Sequence, residues 1–205
     1  FMIFSSKLSL KVCVIGAGQV GATFAYALMI RGLASEIVLI DVNKDLASGQ
    51  AEDMSHGLPY VSPTNVHAGE YSDCENADII VISAGAAQKP GETRLDLTKR
   101  NVDIFCNIVP EISKYTQSAI LIVVSNPVDV LTYAAVKFSG LPTNRVLGSG
   151  TTLDSSRFRY LLSQHVGVDP RNVHAYIIGE HGDSEVPVWS LVHVSGVQLD
   201  DYCQT

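Results

Sequence analysis

Short apolar runs and amphipathic stretches alternate along most of the chain. Lys11–Ile15 is a β-branched run, followed by glycines and then an apolar helix pattern from Val20 to Ile30. Glu36–Ile40 reads as a second buried strand closed by Asp41, and Lys44–His56 as a helix. Ala77–Ser83 is another fully buried strand, Asn101–Tyr115 a helix and Ala119–Ser125 a strand. Pro127 opens the next helix at a favoured first-turn position, and Thr151–His165 is a further helix. Continuous apolar strands between helices predict a parallel sheet covered on both faces, the doubly wound α/β (Rossmann) class. After Asn172 the pattern turns strand-rich, in VHAYIIG and VPVWSLVHV. The expected organisation is a dinucleotide-binding domain over residues 1–150 and the start of an α+β substrate domain over 151–205.

Composition narrows this picture only slightly. With 205 residues, 46% of them hydrophobic, the chain is long and apolar enough to build a substantial core and is no disordered segment. The net charge of −7 gives no electrostatic footprint for nucleic acid. The four cysteines, Cys13, Cys74, Cys106 and Cys203, form no CxxC pair, which suggests free thiols in a reducing compartment, the cytoplasm. The apolar opening Phe1–Leu10 lacks the layout of a secretory signal, and no run reaches the length of a membrane span.

Candidate chemistry begins at Gly16-Ala17-Gly18-Gln19-Val20-Gly21, a GxGxxG placed between a strand and a helix. Gly16 allows the tight turn, Gly18 lets backbone approach a pyrophosphate, and Gly21 lets helix and strand pack closely. The phosphates would rest on the helix N-terminus. Asp41 ends the second strand, at the spacing where a carboxylate binds a ribose diol and repels a 2′-phosphate, so NAD is expected rather than NADP.

Further candidates lie where strands end. Ser83–Arg94 carries a Pro-Gly turn signal and Arg94, and reads either as a mobile lid or as an ordinary solvated loop. Ser125-Asn126-Pro127 puts an amide at a strand end. Asp154 and Arg157 share one helix face, as a functional pair or a surface ion pair, whereas Arg159 lies about 200° around from Arg157 and points elsewhere. His181, between Gly179 and Gly182, is either ligand-facing or structural. His174 and His181 lack zinc-ligand spacing and no HExxH occurs, so no metal site is expected.

Taken together, IGAGQVG, IDVN, SAGAAQKPGETRLDL, SNPVD, GSGTTLDSSRFRYLL and NVHAYIIGEHGDSEVPVWS resemble the L-lactate dehydrogenase family in its bacterial form, from Lys11 to near the end of the chain. The resemblance implies reversible hydride transfer between lactate and NAD, in glycolysis or fermentation. It makes His181 the proton acceptor, Asp154 its orienting partner, Arg157 the fork for the substrate carboxylate, and Arg94 the lid arginine that polarises the carbonyl. It gives Asn126 contacts to substrate and cofactor, and places Val20, Tyr71, Gly85, Ala86, Asn107, Val124, Ser125 and Ser149 against NAD. Gln88 stands where the related malate enzymes usually carry an arginine; lacking that charge, it suits pyruvate or lactate. A further implication is a homo-oligomer, dimer or tetramer, activated by fructose 1,6-bisphosphate through Arg159 and His174. Two alternatives are a malate dehydrogenase and a non-catalytic NAD-binding piece. The family pattern continues past Thr205, so the resemblance speaks for the parent enzyme more than for these 205 residues.

Overall fold

In a computed structural model, residues 10–203 are described; the apolar opening, Leu10 apart, lies outside them. They fall into two compact units, one ending at Gly148 and the other beginning at Ser149.

The first unit is built on six strands: β1 (Lys11–Ile15), β2 (Glu36–Ile40), β3 (Asn65–Ala68), β4 (Ile79–Ile82), β5 (Ile120–Val123) and β6 (Val146–Gly148). All neighbouring strands pair in parallel, in the order β3-β2-β1-β4-β5-β6. Four helices connect them: α1 (Gln19–Arg31), α2 (Lys44–Ser55), α3 (Arg94–Ser113) and α4 (Val128–Ser139). Alternate residues of each strand face opposite layers. Val12, Val14, Ile37 and Leu39 pack with Ala25 and Met29 of α1 and Ala51 and Met54 of α2. Cys13, Ile15, Ile80, Ile82 and Leu121 pack with Phe105, Val109 and Ile112 of α3 and Leu131 of α4. The strand order reverses between β1 and β4, which opens a crevice at their carboxyl ends, the place where such sheets bind ligands.

The second unit begins with α5 (Thr152–Val166), followed by two-residue strands: β7 (Val173–His174), β8 (Ile177–Ile178), β9 (Val186–Pro187), β10 (His193–Val194) and β11 (Val197–Gln198). A short helix, α6 (Leu199–Tyr202), comes last. β11-β10-β7 form one antiparallel sheet and β8-β9 a second.

Several elements differ from the sequence expectation. Strands β3 and β6, at the two edges of the sheet, have no counterpart in it, and β4 and β5 are shorter than their apolar runs. Helix α3 starts at Arg94 rather than Asn101, because Thr93 caps it reciprocally: the Thr93 hydroxyl accepts from the Asp96 N–H (3.2 Å) and the Asp96 carboxylate from the Thr93 N–H (3.3 Å). Pro127 precedes the first turn of α4 as its N-cap, behind a cis Asn126–Pro127 bond. No helix among the described residues is long and apolar enough to cross a membrane.

Candidate functional site

The crevice of the first unit holds a cavity of about 470 Å³, the size of small-ligand and cofactor sites. The turn after β1 forms one side. Gly16 has φ +102°, and a Cβ there would stand 2.6 Å from the Ala84 nitrogen; a Cβ on Gly21 would run into the Gly16 carbonyl oxygen. Both positions exclude any larger residue. Gly18 is different: a Cβ there would meet nothing within 4 Å, so its backbone faces open space. It is the N-cap of α1, with no capping side chain and no acidic residue in the first turn, which leaves an N-terminus suited to an anion.

Asp41 lines the cavity from the end of β2. Its Oδ2 accepts the Ala17 N–H (2.7 Å) and its Oδ1 the Asn43 N–H (2.8 Å), so the carboxylate both anchors the glycine turn and keeps lone pairs for a diol. Tyr71 lines the same cavity; burial, then the neighbouring Cys74, Glu111 and Asp41, pushes its phenol pKa up and keeps it neutral. Gly85, Ala86 and Asn107 also line it. The glycine gap, the helix N-terminus and the carboxylate are a donor set that fits a dinucleotide.

Not every residue predicted to contact NAD lines this cavity. Val20 is exposed on α1, Val124 packs against the apolar core, and Ser125 is buried with its hydroxyl donating to the carbonyls of Ala84 (2.6 Å) and Ile82 (3.2 Å); none of the three lines the cavity. Ser149 lies in the second unit, where its carbonyl accepts the Thr152 N–H. Asn126 is exposed, and its carbonyl accepts from the Asn101 side chain (2.8 Å). Residues not singled out from sequence, Ile104 and Ile108 of α3 among them, add apolar lining; their helical spacing could have pointed to one face, though not to this cavity.

The Ser83–Arg94 segment is internally bonded. The Gln88 amide donates to the Glu92 carbonyl (2.8 Å), and the Lys89 N–H to the Glu92 carboxylate (2.8 Å). Arg100 of α3 donates to that carboxylate (2.9 Å) and to the Ala87 carbonyl (2.8 Å). Arg94, placed on a loop from sequence, is the first residue of α3 and is exposed.

In the second unit, His181 and Asp154 meet. Nδ1 of His181 lies 2.5 Å from Oδ2 of Asp154, whose side chain is only 6% exposed. Arg157, one turn along α5, donates Nη1 to the other carboxylate oxygen at 3.0 Å and remains 61% exposed. The carboxylate therefore holds two side chains at once, and this joins the two sequence candidates into one constellation. Glu185 comes close as well: ligand atoms of Asp154, His181 and Glu185 lie within 4.8 Å of one another, a grouping the sequence spacing did not suggest. With Nδ1 held by the carboxylate, proton exchange with a ligand would pass through Nε2.

Arg159 faces away from this group. Its Nε donates to the Ala175 carbonyl (2.9 Å), and its guanidinium lies 4.9 Å from the centroid of the Tyr176 ring. His174 and Tyr176 are exposed, while Val173 and Ala175, which alternate with them, are buried.

A family model described as lactate/malate dehydrogenase, NAD binding domain, matches residues 10–148, and one described as lactate/malate dehydrogenase, alpha/beta C-terminal domain, matches residues 151–205. An L-lactate dehydrogenase of Acetivibrio thermocellus is 58% identical over 97% of this chain and 63% of its own length. A crystal structure of MGS-M5, a lactate dehydrogenase from a Medee basin deep-sea metagenome library, superposes with a TM-score of 0.93 at 47% identity, covering 96% of this chain and 63% of that one. A malate dehydrogenase structure from Picrophilus torridus gives a TM-score of 0.90 at 38% identity, covering 94% and 61%. The chain thus spans a little under two thirds of the length of these relatives.

Proposed function

This chain belongs to the lactate/malate dehydrogenase family, and from that premise we propose that it carries the cofactor-binding and proton-transfer parts of an NAD-dependent L-lactate dehydrogenase. Residues 10–148 are the NAD-binding domain of the family. When bound, NAD supplies the acceptor for the hydride of lactate. Gly16, Gly18 and Gly21 would shape the phosphate cradle, and Asp41 would take the adenosine ribose.

The chain's own residues do the remaining work. His181 takes the lactate hydroxyl proton at Nε2 and returns it in the reverse direction, while Asp154 fixes the ring and stabilises its charged form. Arg157 presents the rest of its guanidinium to the substrate carboxylate. Arg94 polarises the substrate carbonyl, and Asn126 contacts substrate and cofactor. The observation that carries this reading is the 2.5 Å His181–Asp154 hydrogen bond with Arg157 on the same carboxylate.

Gln88 favours pyruvate over oxaloacetate, because a neutral amide cannot pair with a second carboxylate. The setting is cytoplasmic glycolysis or fermentation, in a homo-oligomer. Arg159 and His174 would bind fructose 1,6-bisphosphate; in support, Arg159 is held by the carbonyl of Ala175, the residue that follows the exposed His174. NADH oxidation with pyruvate and with oxaloacetate tests the reading, on this chain and on one extended to the length of its relatives, with and without the bisphosphate. Preference for pyruvate, moved toward oxaloacetate by Gln88→Arg, is the expected outcome. Preference for oxaloacetate in the unaltered sequence favours the malate reading, and NADH binding without turnover in the extended chain favours a binding role.

A further inference from the structure

Asn101 is a polar residue on α3 that is 2% exposed, on a helix whose other buried residues are Phe105, Val109 and Ile112. A buried amide is costly unless its donors and acceptors are satisfied. Here its Oδ1 accepts the Ala86 N–H at 2.8 Å, and its Nδ2 donates to the Asn126 carbonyl at 2.8 Å. The first bond fixes the segment after β4 that walls the cofactor cavity; the second fixes the segment after β5 that carries Asn126. Both partners are backbone groups, so the side chain sets the path of two loops and lines neither the cavity nor the surface.

We infer that Asn101 is a positioning residue, which holds the Gly85–Ala86 wall of the cavity and the backbone of Asn126 in one fixed register. The inference rests on the NAD reading above. Neighbouring hydroxyls extend the same stitching: Ser125 Oγ donates to the Ala84 carbonyl (2.6 Å) and Ser83 Oγ to the Gly16 carbonyl (2.9 Å). Asn101 differs from them in supplying both a donor and an acceptor from a single amide across the two loops. Leucine is similar in size but removes both bonds, along with a longer one from Nδ2 to the Ala86 carbonyl (3.5 Å). Aspartate is closer still, and its effect depends on protonation. A neutral carboxyl offers C=O to the Ala86 N–H and O–H to the Asn126 carbonyl, reproducing the two 2.8 Å bonds; an ionised one keeps the first but turns an acceptor toward the Asn126 carbonyl. Burial raises the pKa of such a carboxyl, so the neutral form gains weight as the pH falls.

The experiment uses the full 205-residue chain, titrated with NADH between about pH 5.5 and 8.5, beside Asn101→Leu and Asn101→Asp. Far-UV circular dichroism checks each variant for folding. Asn101→Leu is expected to bind NADH about tenfold or more weakly at every pH, since both bonds that hold the two loops are lost. Asn101→Asp is expected to match it at the alkaline end and to recover toward wild type as the pH falls, when both are expressed relative to wild type at the same pH. Amide exchange of Ala86 in the ligand-free chain, slow in wild type and about tenfold faster in Asn101→Leu, is the second readout. Folded variants that bind like wild type at every pH, or an Ala86 amide that exchanges equally fast in all three, would overturn the inference. Loss of folding in both variants, with no recovery of Asn101→Asp at low pH, would overturn it too, since Asn101 would then be a core residue only. If wild type does not bind NADH, the NAD reading fails, while the exchange rate of Ala86 still decides the role of Asn101.

Discussion

In the first unit both faces of a six-stranded sheet are covered by helices, and the largest core side chains, Phe105, Ile37 and Leu121 among them, are completely buried. Among the described residues of the second unit, the buried apolar cluster is Leu162, Val173, Ala175 and Val192, with Val194 buried outside it. Leu153, Leu161, Ile178, Val186, Trp189 and Leu191 there are all more than half exposed. Its strands, β7 to β11, are two residues long. Burial of apolar surface is the main favourable term in folding, so the two units differ in how far each can stabilise itself. Their chemistry divides along the same line: the cavity fitted for a dinucleotide lies in the first, and the His181–Asp154 pair in the second.

The sharpest way to break this comparison is to remove His181. In a chain extended to the length of its relatives, His181→Ala should lower kcat for pyruvate reduction by about 10²–10⁴ and leave the NADH dissociation constant unchanged. Steady-state assays and fluorescence titration read the two quantities separately. A parallel loss of NADH affinity would mean that the chemistry of the two units is not separable.

How legible each unit is follows from the same physics. A parallel sheet buried on both faces writes its strands as unbroken apolar runs, so KVCVI, EIVLI and DIIVI are readable as they stand. The edge strands Asn65–Ala68 and Val146–Gly148 are short and partly exposed, and leave no such run. The early start of α3 is written in Thr93-x-x-Asp96, a capping pair that reading the segment as a lid passes over. Asp154 and Arg157 are adjacent by helical spacing, but the contact of Asp154 with His181 spans 27 residues and depends on the tertiary fold. Asn101 carries no signal at all, since one asparagine in a helical pattern says nothing of its burial.

A smaller effect separates two glycines of the turn, within the first unit alone. Gly21→Ala forces a Cβ against the Gly16 carbonyl, and overpacking of this kind costs up to about 3 kcal/mol, or roughly 6–12 °C in Tm. Gly18→Ala adds a methyl to open space at φ −69°, so Tm should not move, while NADH binding weakens because the methyl enters the phosphate cradle. Thermal melts with and without NADH distinguish them. Equal destabilisation by both substitutions would remove the distinction between a packing glycine and a ligand-facing one.

The smallest effect tests the stability difference itself, and the sequence provides a reporter for it. Trp189 is the single tryptophan of the chain and lies in the second unit, edge-on to Phe158 at 4.9 Å between ring centroids. Its emission therefore follows the second unit, whereas far-UV circular dichroism is dominated by the four helices and the six-stranded sheet of the first. In a urea titration of this chain, the tryptophan transition should come before the dichroism transition, because one small buried cluster stabilises less than two full core layers. NADH should move the dichroism midpoint upward by mass action on the first unit and leave the tryptophan midpoint nearly in place. Coincident transitions that shift together with NADH would show that the two units unfold as one, and the contrast between a self-sufficient unit and a dependent one would then have to be given up.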